Sequence, residues 1–437
     1  MISVNLLQQK SIGKALSIIN GALIFGFFST LVLIPEAYWW FGMASIGSTL
    51  LALVVLCTYR VFPLQLTIGD FKLVFVLLFF GSVWWLSVLN DGSLPFLARD
   101  GFHHLYLWPF IAASFLIALR IFTPSPHWFW LGVCCGSLGA GAVALYERVV
   151  LGLSRADNGI NAIPFGNLSL LMGFISLIAC IYYLQKWRTS YSGLAILAIC
   201  AAFLGCLASL LSGTRGGWVA IPFLVALLLP ATSNLISSKV RIFALIFVFL
   251  FVIAIIAYPP SGVWVRLVAI FDDLYQYFIN NEADTSLGTR FELWRAGWIM
   301  FVDNPGMGIG EGSVQERLSS LVTREIAYDR GIIVPQLHSD VIDTLARRGL
   351  LGASSLILMY VAFASAFASK MLHGNNQLNV RLMAVSVMMV VIAFFDFGLS
   401  QAMFRDLRGL SGFLGFVVII WSCLGHQSNN SSILKTI

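Results

Sequence analysis
The hydrocarbon core of a bilayer takes roughly 20 mostly apolar residues to cross as a helix, and runs of that kind dominate this chain. They predict membrane-spanning helices near 15–34, 39–57, 71–90, 104–119, 128–147, 164–184, 193–211, 217–230, 241–258, 350–369, 380–398 and 411–425. The eighth is short, held between Pro222 and Pro230. Twelve crossings return both termini to one side. Loops dealt alternately to two faces then sort the charges. One face receives Lys10, Lys14, Arg60, Lys72, Arg120, Lys186, Arg188, Lys239, Arg241, Lys370, Arg381 and Lys435, with Asp70 as its only acid. Positively charged loops stay in the cytoplasm, so that face is read as cytoplasmic. The far face receives Arg148, Arg155, Arg215, Arg405 and Arg408, and one long loop with Arg266, Arg290, Arg295, Arg317, Arg324 and Arg330. Trp39, Trp40, Trp128 and Trp130 fall at span ends, where interfacial aromatics sit.

A hydrophobic fraction of 59% with only 11% charged residues excludes an ordinary soluble domain. The net charge of +6 comes from the cytoplasmic loops, so it reports topology and not a nucleic-acid partner. All seven cysteines fall in or at the ends of spans, which gives neither a disulfide framework nor a zinc site. The stretch after Lys10 and Lys14 is long enough to span and lacks a clear small-residue cleavage site. It reads as an uncleaved first helix. No internal repeat suggests the inverted halves of a secondary transporter.

Three regions are therefore expected: residues 1–258 with nine spans, a large hydrophilic loop over 259–348, and residues 349–437 with three more spans and a cytoplasmic tail. Within the loop, Val263 to Asn280 reads as an amphipathic helix with Leu267, Phe271, Leu274 and Phe278 on one face. Thr289 and Glu292 form a capping-box pattern for a second helix that Asn304 and Pro305 end. A third is expected from Ser313 to Arg330. A fourth starts near His338 or Ser339 and runs into the tenth span. The loop thus reads as a helical cap.

Arginine without lysine on the far face suits fixed, two-point binding of anions such as phosphate or pyrophosphate. Arg215, in SLLSGTRGGWVA, lies close to hydrocarbon, flanked by Gly213, Gly216 and Gly217 that let a ligand or backbone approach. It either meets an anion or snorkels to lipid headgroups. Arg290 either binds a ligand or pairs with Glu292 or Asp284. His338 is the only histidine of the long loop. A helix start favours its neutral form, while Asp340 and Asp343 push the other way. His103 and His104, beside Asp100 in another far-face loop, read as interfacial. GMGIGEG follows a helix and a proline, and no lysine comes after it, so it supports neither a P-loop nor a dinucleotide fingerprint. Asp272 and Asp273 are adjacent rather than spaced, and no catalytic metal or cofactor is expected.

Three local patterns, SGTRGGWVA, TRFELWRAGWIMFVDNPGMGIGEG and LHSDVIDTLARRGLLG, occur in this order. Together with the many spans and the late hydrophilic loop, they resemble the O-antigen ligase and polymerase superfamily of bacterial inner membranes. RADNGINAIPFGNLSLLMG (155–173) is similar to the segment before the sixth span of such ligases. The resemblance implies an all-α polytopic fold of the GT-C type with about twelve spans and a periplasmic cap. It also implies a metal-independent, inverting glycosyltransferase. Such a ligase moves polysaccharide from undecaprenyl pyrophosphate to a sugar hydroxyl of lipid A–core. The matching positions are Arg215 and Arg290 for the pyrophosphate and His338 for the acceptor. Family members often carry an acid shortly before the glycines that follow the histidine; this chain has Arg347 and Arg348 there. A polymerase of the same superfamily and a protein O-oligosaccharyltransferase share the donor chemistry. A transporter or flippase would place ionisable groups deep in several spans, and here Asp396 is the exception, near a span end.

Overall fold
The computed structural model describes residues 2–59, 66–90, 104–159, 161–185, 192–232, 263–324, 336–373 and 378–433, with isolated positions between 237 and 257. The described residues form helices and no strands. In chain order these are α1 (Ile2–Thr30), α2 (Tyr38–Tyr59), α3 (Ile68–Asn90), α4 (Trp108–Ile121), α5 (Pro126–Leu145), α6 (Ala162–Leu184), α7 (Ser192–Ser212) and α8 (Ile221–Thr232). After them come α9 (Val263–Phe278), α10 (Ser286–Asp303), α11 (Val314–Thr323), α12 (Asp340–His373), α13 (Leu378–Ser400) and α14 (Leu407–Ile433).

Nine helices among the described residues are long and apolar enough to cross a membrane, and the chain is a multi-pass membrane protein. Two of the expected spans are shorter apolar helices, at Leu105–Ile121 and Gly216–Leu229. The expected ninth span, 241–258, falls almost wholly outside the described residues. Burial sorts the spans. In α6 and α14, 89% and 94% of the apolar window is enclosed, against 33% in α1 and α2, so the first pair forms the centre and the second the rim. With no water to expel between helices in lipid, close packing must hold them together. Gly205 of α7 shows how close: a Cβ there would lie 2.2 Å from Oγ of Ser137 and 2.9 Å from Cα of Gly173.

Polar contacts tie helix ends together at either end of the bundle. At one end the buried Asp70 of α3 accepts hydrogen bonds from Trp421 Nε1 (2.7 Å) and Arg120 (3.2 Å), tying α3, α4 and α14. Asn20 of α1 donates to the Phe122 carbonyl (2.9 Å) at the same end. Asp70, the lone acid expected on the lysine-bearing face, is thus a structural staple. At the other end Glu147 accepts from the backbone of Asp157 and Asn158 (2.8 and 3.1 Å), and Asn158 donates to the Val32 and Leu33 carbonyls (3.0 and 2.8 Å).

The hydrophilic insertion is helical, with corrections. α10 begins earlier than Thr289. Thr285 is its cap, accepting from Gly288 N at 3.0 Å, and Glu292 accepts from Tyr277 Oη at 2.8 Å instead of closing a capping box. α9 forms as an amphipathic helix over Val263–Phe278, with Phe271 and Phe278 73% and 65% exposed and Leu274 half-buried. The Leu267 side chain lies outside the described residues. α11 spans Val314–Thr323, and the expected continuation toward Arg330 lies outside the described residues beyond Arg324. Leu293, Ala296, Met300, Val314, Leu318, Leu321, Leu337 and Ala346 form a separate small core under these helices.

α12 is two helical pieces meeting at Gly349, whose φ of 59° and ψ of −152° are not helical. The glycine-rich loop docks on the break. Ile309 N donates to the Ala346 carbonyl (2.9 Å), Gly310 N to Arg347 (3.1 Å), Leu350 N to Pro305 (2.7 Å) and Leu351 N to Gly306 (3.2 Å). The loop therefore satisfies backbone groups that the break would leave unpaired. Gly308, at φ +72°, lies so close that a Cβ would sit 2.2 Å from the Arg347 carbonyl carbon. These contacts give GMGIGEG a structural role.

Candidate functional site
Arg215 sits in the corner between α7 and α8. Gly213 turns the chain with φ +65°. Thr214 Oγ1 donates to the Ala162 carbonyl (2.8 Å), and Ser212 Oγ to Thr214 Oγ1 (2.9 Å), so the corner is fixed to the start of α6. Ala220 N donates to Asp396 Oδ2 of α13 (3.0 Å), placing that acid at the start of α8. A Cβ on Gly216 would meet Oγ of Ser400 at 2.2 Å. The Arg215 corner thus lies against the end of α13, immediately before Gln401.

Gln401 is 1% exposed and holds His338: its Oε1 lies 2.8 Å from the imidazole Nδ1. An amide oxygen can only accept, so Nδ1–H donates and, in the neutral ring, Nε2 keeps the lone pair. His338 itself adopts φ +49°, a left-handed conformation rare outside glycine and asparagine. Its neighbours lock it in place. Ser339 Oγ donates to the Gly398 carbonyl (3.2 Å), and Asp340 Oδ1 accepts from Phe404 N (2.9 Å).

Arg290 arrives from α10. A Cβ on Gly297 would meet Ile342 and Leu337 side chains at 2.5 and 2.8 Å, so that face of α10 packs on the residues around His338. Arg290 lies two turns before Gly297 on the same face. The Arg290 guanidinium is pushed below the ordinary arginine value by burial, then by the charges of Arg215 and Arg155; Asp273 opposes them. Burial likewise pushes His338 below the ordinary imidazole value of 6.5. The Gln401 hydrogen bond pulls it back up, Arg290 lowers it, and Asp343 raises it. Burial is the largest of these causes. The structure brings Arg215, Arg290 and His338 to one end of the bundle, and Arg155 joins them.

Several other far-face arginines have partners of their own. Arg405, Arg347 and Arg348 surround Glu311, with Arg348 Nη2 2.7 Å from Oε2 and Arg405 in close contact with Oε1. Arg347 Nε also donates to Asp343 Oδ2 (2.9 Å), and Asp343 Oδ1 accepts from Leu337 N (3.2 Å). Trp84 Nε1 donates to Glu311 Oε2 (3.1 Å), and the Arg348 guanidinium stacks 3.9 Å over the Trp84 ring. Arg347 and Arg348, at the position where the family's acid was expected, belong to this buried network. Arg408 pairs with Asp406 (3.2 Å), and Arg317 with Asp303. Arg295 is largely exposed and 3.7 Å from Glu292. His104 Nδ1 lies 3.0 Å from Tyr106 Oη, while His103 and Asp100 lie outside the described residues. Among the described residues no three His, Cys, Asp or Glu side chains gather as metal ligands.

Sequence reasoning assigned no role to Gln401. It sits among apolar residues with no motif around it, and only the fold pairs it with a residue 63 positions away.

Residues 200–357 match the sequence model of the family described as O-antigen ligase. Arg215, Arg290, His338 and the glycine-rich loop all lie inside that stretch. Over 349 residues the chain is also 25% identical to an uncharacterized protein of Haemophilus influenzae, a match covering 79% of this chain and 84% of that one.

Proposed function
We propose that this O-antigen ligase-like family member is a glycosyltransferase that moves polysaccharide from undecaprenyl pyrophosphate to lipid A–core. The active end faces the periplasm and the lysine-bearing end the cytoplasm of the bacterial inner membrane. The observation that carries the reading is the gathering of Arg215, Arg290 and the lone-pair nitrogen of His338 at one end of the bundle.

The acceptor hydroxyl oxygen bonds to the anomeric carbon from the face opposite the diphosphate. The carbon–oxygen bond to the diphosphate breaks, its electron pair leaves with the phosphate, and the anomeric centre inverts. His338 Nε2 takes the hydroxyl proton, or orients the hydroxyl for its loss. Arg215 and Arg290 stabilise the negative charge that grows on the departing diphosphate. Arginine suits this role because its planar fork meets two phosphate oxygens at once. The reading makes 259–348 a periplasmic cap over a GT-C bundle, with both lipid-anchored substrates entering sideways from the bilayer.

Deleting the gene and analysing lipopolysaccharide tests the proposal. Core without polymer, with polymer accumulating on the lipid carrier, is the expected result. Core bearing a single repeat unit would instead make the enzyme a polymerase, and unchanged lipopolysaccharide would remove both assignments.

A further inference from the structure
Arg155 takes no part in the mechanism above, yet its loop is tethered on several sides. Asp157 and Asn158 donate to the 7%-exposed Glu147, Asn158 reaches the Val32 and Leu33 carbonyls, and Ala156 N donates to the Leu211 carbonyl (3.1 Å). Arg155 Nε–H donates to the Ser212 carbonyl at 2.8 Å. Ser212 also anchors Thr214, next to Arg215. The Arg155 guanidinium is therefore pinned, half-buried, to the corner that presents Arg215. Burial and then Arg215 push it below the ordinary arginine value, and Asp157 opposes them. Asp157, the nearest acid in sequence, spends Oδ1 on Gly159 N (2.8 Å). Three guanidiniums from three segments press on one another, an arrangement that an anion relieves.

The charge of the substrate gives a reason for three. A diphosphate bridging lipid and sugar carries two ionised oxygens. When the sugar leaves, a third oxygen becomes ionisable near neutral pH. A third arginine thus matches the departing diphosphate better than the bound donor, which is how a site favours the transition state over the ground state. We infer that Arg155 is a third ligand of the diphosphate, gripping it through its two terminal amino groups while Nε–H stays on Ser212. The inference rests on the donor assigned above.

The test measures binding of inorganic pyrophosphate to the full-length protein in nanodiscs, together with steady-state transfer. Arg155→Gln is expected to weaken pyrophosphate about tenfold to a hundredfold, the range of a charge-assisted contact. It should lower kcat more than it raises the donor KM. Arg155→Lys keeps the charge without the fork and should fall between the two. Wild-type affinity in Arg155→Gln, with affinity lost in Arg215→Gln and Arg290→Gln, overturns the role of Arg155 and leaves the donor assignment standing. If none of the three variants changes the affinity, the donor assignment falls as well. Should Arg155→Gln fail to fold, Arg155→Lys decides, because unchanged affinity and an unchanged kcat there exclude a forked contact.

Discussion
His338 and Gln401, 63 residues apart in sequence, meet in one hydrogen bond: Nδ1–H donates to Oε1 at 2.8 Å. The bond selects the tautomer in which Nε2 can receive a proton. It also favours the protonated ring, and so opposes the burial and the Arg290 charge that depress its pKa. On the proposed mechanism Gln401 is a positioning residue whose removal should leave a spectroscopic and kinetic signature.

For His338 the sign follows directly. A depressed pKa keeps the imidazole neutral at pH 7, so transfer should stay flat near neutrality and fall only when pH drops below 6.5, the ordinary imidazole value. Gln401→Leu removes a contribution that raises the pKa, so the acid limb should move lower while kcat falls from loss of the tautomer lock. Gln401→Glu should move the limb higher. A pH–rate profile, with nuclear magnetic resonance titration of His338, reads both shifts. Identical limbs in all three proteins would exclude the positioning role.

Arg215→Lys and Arg290→Lys should each cut transfer by about tenfold to a hundredfold, because an ammonium lacks the planar fork that meets two phosphate oxygens. Folding should be intact, since Arg215 and Arg290 are both partly exposed. Full transfer in either lysine variant, measured with purified donor and acceptor, would remove that residue from the phosphate site.

Glu311 is the acid on which Arg347, Arg348 and Arg405 converge. Glu311→Gln keeps the shape and deletes the charge, leaving like charges buried together. A cost of about 3–5 kcal/mol is expected for breaking a buried pair of this kind. A lower Tm in detergent, measured beside a wild-type control, would show it. An unchanged Tm would mean that water already screens the cluster.

Chelation should do little, because the proposed site covers the diphosphate with guanidinium groups and not with carboxylates. Strong inhibition by EDTA that a divalent cation reverses would overturn that assignment.

Gly308→Ala places a Cβ against the Arg347 backbone at a positive φ, so the loop must leave the helix break. Gly306→Ala, two residues earlier, meets nothing within 4 Å. The first should lower Tm and transfer together, and the second should change neither. Equal behaviour would show that the loop is not held against α12 in solution.

Hydrophobic run length alone made most of the helices legible, since a span of α6's kind has no other home than a bilayer or a large core. Arg215 stood out because a charge beside glycines is conspicuous in so apolar a chain, whereas Arg290 and His338 were singled out by the resemblance to the ligase superfamily. What the sequence could not reveal were relationships between distant segments. Glu292 looked like half of a capping box, yet Tyr277 takes it and Thr285 caps the helix. The periodicity of α9 showed an amphipathic helix, but could not say what its apolar face meets. Arg405 looked like one more anion ligand until the fold set Glu311 against it.

The backbone pairing of residues 305–310 with 346–351 carries a consequence for how such a chain can vary. Main-chain atoms, not side chains, hold the glycine-rich loop against the break between the two halves of α12. Substitutions along the exposed flank of this seam should drift freely. A single inserted or deleted residue would slip the register and shift the residues around His338 by a residue's length relative to the spans.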